Sequence, residues 1–84
     1  MNFSAALMFL KMGRRVTRLN WNGKNQYIEL ASNISYKNSN NEIINADHET
    51  MGNQAIVFNG SCGIQVGWLA SQADILSDDW VLID

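Results

Sequence analysis

The chain has 84 residues, six Lys or Arg against eight Asp or Glu, a formal net charge of −2, and no proline. That length bounds it to a single domain, residues 1–84, with a modest core, for which oligomerisation is a natural source of further burial. With one cysteine (Cys62) and one histidine (His48), an internal disulfide is excluded and a four-ligand zinc site lacks its ligands.

In chain order, Asn2 precedes a run in which Phe3, Leu7 and Leu10 recur at helical spacing with Ala6 beside them. The spacing predicts a helix capped by Asn2 or Ser4 and stopped at Gly13, which supplies the left-handed turn. Its apolar stretch Ala5–Leu10 is too short for a secretory segment and has no basic residues before it. Arg15-Val16-Thr17-Arg18-Leu19 then alternates β-branched with long charged residues and reads as a strand. Gln26 to Ala31 reads as a second strand, and the Asn22-Gly23 turn between them makes a hairpin with Trp21 near its tip.

The middle of the chain is polar. Lys37 to Glu42 is loop-like and Asn45 to Asn53 has no clear period, so the stretch reads as a variable connection. Short extended pieces are expected at Ile34-Ser35-Tyr36 and Glu42-Ile43-Ile44. Ala55 to Phe58 reads as a buried strand and residues 59–63 as a turn. Ile64 to Trp68 alternates, which puts Ile64, Val66 and Trp68 on one face. Ser71 and Asp74 have the spacing of a capping box at the start of a short helix ending near Ser77. Trp80 to Ile83 closes the chain as a strand. The expected fold is α+β: an N-terminal helix and a short C-terminal helix packed on a small twisted antiparallel sheet.

Charge is unevenly spread. Five of the six basic residues (Lys11, Arg14, Arg15, Arg18 and Lys24) precede every acid, from Glu29 onward. This asymmetry reads either as ordinary solvated and paired surface charge or as a phosphate-attracting patch, with pairing between halves of protomers a third option. The slightly negative total argues against binding to nucleic acid polymers, and no apolar run approaches a membrane span. The single thiol favours a reducing, cytoplasmic setting.

Enzyme signatures fail one by one. Gly60 and Gly63 lie between strands rather than in a phosphate-cradling strand-to-helix turn. Cys62 with His48 as base is better read as structural, Asp74 as a cap, and Asp78-Asp79 as a polar turn. No catalytic site, metal site or cofactor is expected. Binding is better supported. Three tryptophans are many for so small a chain, and Trp80, opening an apolar strand, reads as core. Trp21 sits between two asparagines, so it is either a lid on the protomer's own core, a stacking plane for a nucleobase, or an anchor at a subunit interface. Asn20, Asn22, Ser71 and Gln72 supply amides and a hydroxyl suited to base edges and ribose. Arg18 and Lys24 flank them with charge suited to phosphate.

Two segments carry a family resemblance. Arg18-Leu19-Asn20-Trp21-Asn22-Gly23-Lys24 matches "R-x-x-W-N-G-K", and Trp68 to Trp80 matches "W-x-P-S-x-x-D-x-L-x-x-D-W" with Ala70 in place of proline. With the helical opening, these make the chain similar to the second class of Thoeris anti-defence proteins of phages and prophages. That resemblance implies a sponge: a homotetramer that sequesters glycocyclic ADP-ribose, the signal of a bacterial TIR-domain defence protein, in pockets between protomers. Some members also bind cyclic dinucleotides at separate pockets. On this basis the expected ligand-binding residues are Arg18, Asn20, Trp21, Asn22, Lys24, Trp68, Ser71, Gln72 and Asp74. Trp21 would stack on a base, Trp68 would face it across the site, and Asp74 would orient the helix mouth or accept a ribose hydroxyl. The rival expectation is a phage accessory module that binds a protein through aromatic anchors. The missing proline loosens the approach to the short helix but leaves its cap residues in place.

Overall fold

A computed structural model describes residues 1–23 and 25–83. Helix α1 (Phe3–Lys11) starts at Asn2, whose side chain accepts the Ala5 N–H at 2.9 Å. It stops at Gly13, which takes the left-handed φ of 85° that only glycine adopts without strain. Seven strands and a second helix follow: β1 (Val16–Arg18), β2 (Tyr27–Ser32), β3 (Ser35–Lys37), β4 (Ile43–Asn45), β5 (Gln54–Gly60), β6 (Gly63–Val66), α2 (Gln72–Leu76) and β7 (Trp80–Leu82). The fold is α+β, as its sequence pattern predicts.

Five strands form one antiparallel sheet in the order β6-β5-β2-β1-β7. Register puts Val16 opposite both Ile28 and Leu82, Arg18 opposite Trp80, and Ile28 opposite Phe58. Because side chains alternate, these residues share one face, and α1 covers it with Ala6 and Leu10. Ala6, Leu10, Val16, Ile28 and Trp80 are fully buried there. Trp80, read as core from the sequence, is the largest of them. The other face of the sheet carries Thr17, Tyr27, Val57, Ile64, Val66 and Val81 by the same alternation.

Two sequence expectations need revision. The strand expected over Ile64–Trp68 ends at Val66, because Gly67 turns the chain with φ 85°. Trp68 therefore leaves the face of Ile64 and Val66 and packs against the core cluster. The middle segment is also more ordered than a plain connection. β3 and β4 pair as a separate two-stranded hairpin, with Tyr36 opposite Ile44.

Candidate functional site

The site grows from one helix cap. Ser71 precedes α2, and its hydroxyl accepts the Asp74 N–H at 3.0 Å while the Ser71 N–H donates to Asp74 Oδ2, also at 3.0 Å. This reciprocal capping box fixes the Asp74 carboxylate at the mouth of α2. Its other oxygen is not left for solvent. Asp74 Oδ1 accepts from Arg18 Nη1 at 2.8 Å and from the Trp21 indole Nε1–H at 3.3 Å. The Asp74 backbone carbonyl accepts the Trp80 indole N–H at 2.8 Å. One residue thus anchors two tryptophans, one cation and one helix, and is itself only 8% exposed.

Arg18, the last residue of β1, reaches across the sheet's end toward this mouth. Besides Asp74 it donates through Nε to Asp79 Oδ1 at 2.9 Å and through Nη2 to Ser77 Oγ at 2.7 Å. Asp79 Oδ2 also accepts the Asn20 N–H at 3.0 Å, and the Asp79 carbonyl accepts the Leu19 N–H at 3.1 Å. The loop after β1 is therefore laced to the segment between α2 and β7. Asp79, expected to be part of an ordinary polar turn, is a partner in this lacing. Among the described residues, Arg18 from the basic first part of the chain pairs within the protomer with Asp74 and Asp79 from its acidic end.

These contacts set the charge states. Asp79, then Asp74, raise the Arg18 pKa above its ordinary value, against some desolvation. Burial opposes the Asp74 charge, but the Ser71 amide, Arg18, the Ser71 side chain and the Trp21 indole outweigh it and hold the carboxyl below its usual value. Arg18, with the Asn20 amide, likewise lowers Asp79 against desolvation.

The aromatic side of the site is a cluster of edge-on contacts. Trp21 meets Phe58, Trp68 and Trp80 at ring-centroid distances of 5.4, 6.2 and 5.3 Å, each nearly perpendicular. Trp68 meets Trp80 at 6.3 Å in the same manner. Such T-shaped pairs put the positive ring edge of one partner against the negative face of another. Trp21 stays half-buried: it is packed on the core cluster yet also lines a surface groove.

That groove, about 440 Å³, does not open at the mouth of α2. Its lining joins Arg15, Thr17, Tyr27 and Ile83, which strand alternation puts on the sheet face opposite α1, to the loop residues Trp21, Gly23, Asn25 and Gln26. The Arg15 guanidinium lies 5.0 Å from the centre of the Tyr27 ring, a cation–π stack. In the loop the Gly23 N–H donates to Gln26 Oε1 at 3.2 Å, and the Gln26 side chain lies over Gly23 where a Cβ would displace it.

Of the residues singled out from the sequence, Arg18, Trp21, Trp68, Ser71 and Asp74 come together around the α2 mouth, and only Arg18 and Trp21 also line the groove. Asn20, Asn22 and Gln72 are exposed at or beside the loop and α2. Lys24 lies outside the described residues. Sequence reasoning overlooked Arg15, Thr17 and Tyr27 as groove residues. Their signal was the strand alternation itself: each neighbours a core residue, Val16 or Ile28, and so must point to the opposite face. Among the described residues no group of three His, Cys, Asp or Glu is placed to hold a metal ion. No helix among them is long and apolar enough to cross a membrane.

The model of the Tad2-like family, described as the Thoeris anti-defense 2-like domain, matches residues 1–83. The chain belongs to that family. It is also 34% identical over 88 aligned positions to Thoeris anti-defense 2 of Bacillus phage SP01, an alignment covering 99% of this chain and 94% of that protein. Membership over nearly the full length means that the α2 mouth and the loop after β1 both lie within the matched domain.

Proposed function

We propose that this member of the Tad2-like family is a phage anti-defence sponge. It binds a cyclic nucleotide immune signal, glycocyclic ADP-ribose and by extension cyclic dinucleotides, and holds it without degrading it, in the cytoplasm of the bacterial host. The observation that carries this reading is Trp21: an indole anchored at its edge by Asp74 and three aromatic rings, and lining a groove furnished with Arg15, Tyr27 and the amides of Asn25 and Gln26. Aromatic planes with nearby guanidinium and amide groups suit a base, a ribose and a phosphate together. The groove's volume falls in the range of small-molecule sites, about 300–1,000 Å³.

The groove is open, and a sponge must release its ligand slowly to outcompete a receptor. Closure by a second protomer, in a homotetramer, meets that need. The sheet face bearing the groove exposes Ile64, Val66 and Ile83, apolar surface that such an assembly would cover. Asn20, Asn22, Trp68, Ser71 and Gln72 then serve as contacts around Trp21 or toward the neighbouring protomer.

Retention separates the readings. The protein is incubated with glycocyclic ADP-ribose, freed of unbound nucleotide, denatured, and the released small molecule identified by mass spectrometry. Intact ligand is expected. A converted product would make the protein an enzyme, and no retention would favour a protein-interaction module, for which the exposed Leu69 and Leu76 are available. Trp21→Ala is expected to weaken retention about tenfold or more, from loss of base stacking. Mass measurement of the assembly tests the tetramer.

A further inference from the structure

We infer that Asp74 is a positioning residue for Trp21, and that Arg18 serves Asp74 rather than the ligand. Together they lock the indole edge inward so that Trp21 can offer a ligand only its ring surface. This rests on the sponge reading for its consequence, but its geometry is independent of it.

Three facts converge. First, the only hydrogen-bond donor on an indole is its N–H, and that of Trp21 is directed at Asp74 Oδ1. It is not free to read a base edge or a ribose hydroxyl. Second, Asp74 has little to spare for a ligand. Oδ1 takes Arg18 and Trp21, Oδ2 takes the Ser71 amide, and the residue is buried. A carboxylate so engaged orients its neighbours rather than accepting a new hydroxyl. Third, each nitrogen of the Arg18 guanidinium already donates: Nε to Asp79, Nη1 to Asp74 and Nη2 to Ser77. Phosphate would have to compete with two carboxylates for that charge.

The functional consequence concerns specificity. A ring surface accepts any base, because every base has a π-face, so Trp21 contributes affinity without choosing among bases. Choice then falls to the amides of Asn25 and Gln26 in the groove wall. A pre-set indole also spares the ligand the entropy of ordering a mobile aromatic, which is where Asp74 contributes to capture.

The test is a double-mutant cycle with an independent spectroscopic readout. Dissociation constants for glycocyclic ADP-ribose are measured for the wild type, Asp74→Asn, Trp21→Phe and the double variant. Phenylalanine keeps a ring and lacks the N–H. Each single change is expected to weaken binding several-fold, and the double variant to bind about as well as the weaker single variant, because both remove the same interaction. A double variant weakened by the product of the two single effects would mean that Asp74 meets the ligand itself, and the inference would fail. The second readout needs only wild-type protein and survives a variant that does not fold. The Trp21 indole N–H should exchange slowly with solvent by NMR and remain slow with ligand bound, while the ring carbon resonances shift. Exchange at the free-indole rate in the unliganded protein would overturn the clamp. A protected N–H with no binding of glycocyclic ADP-ribose would sink the sponge reading and leave the clamp standing.

Discussion

The two ends of this molecule are held by different physics. Around Trp21, Trp68 and Trp80, perpendicular aromatic contacts are threaded by charge-assisted hydrogen bonds to Asp74 and Asp79, all crossing between segments far apart in the chain. The β3–β4 hairpin at the other end is held by its own ladder and by a local turn. Asn38 Oδ1 accepts the Asn40 and Glu42 N–H groups at 3.0 Å each, and Asn41 supplies a left-handed residue. There Tyr36 and Ile43 stay exposed. The contrast teaches that the aromatic end is built to hold a geometry, whereas the hairpin is built only to exist. The first is where a ligand site can be pre-organised.

Substitutions should reproduce that contrast. The largest effect is expected from Trp80→Ala, which removes a side chain with no exposed surface and an indole bonded to Asp74. Denaturant unfolding should show a loss of about 3–5 kcal/mol, enough to unfold a domain this small. Arg18→Met comes next, at about 2–3 kcal/mol, because it strands the buried Asp74 carboxylate, which keeps its Ser71 and Trp21 donors. Acid sharpens the same point. Asp74 and Asp79 have folded pKa values below their unfolded ones, so their contribution is present above the ordinary aspartate value of about 3.9 and lost as pH falls through the lowered folded values. In Arg18→Met the acid loss should begin at a higher pH, since burial then opposes the Asp74 charge with fewer donors against it. An unmoved acid limb would show that the pair does not govern this end. Ser71→Ala removes one arm of the capping box and should cost about 1 kcal/mol, read from the same unfolding curves. Smallest is Ile43→Ser in the hairpin, within about 0.5 kcal/mol. A larger loss would break the comparison and reveal that the hairpin is buried against another copy.

Much of the fold was legible because its signals are local. Asn2, Gly13, Ser71 and Asp74 announce helix ends through contacts spanning three or four residues, and the alternation of Arg15 to Leu19 and Gln26 to Ala31 announces strands. Trp80 was legible as core because it opens an apolar strand. The site was legible only in part. Trp21 and Asp74 stood out as residues, yet the partner of each was hidden: the Arg18–Asp74 bond spans 56 positions and the Trp21–Asp74 bond 53.

From the sequence alone follow the α+β class, both helix caps, the hairpin carrying Trp21, and the family resemblance that the match over residues 1–83 bears out. The tertiary structure alone decides that Asp79 is an ion-pair partner, that Gly67 swings Trp68 to the core, and that the groove opens on the sheet face away from α1. The physical reason is range. A cap or a strand is written in neighbouring residues, whereas the direction in which an indole N–H points depends on which strands pair and in what register.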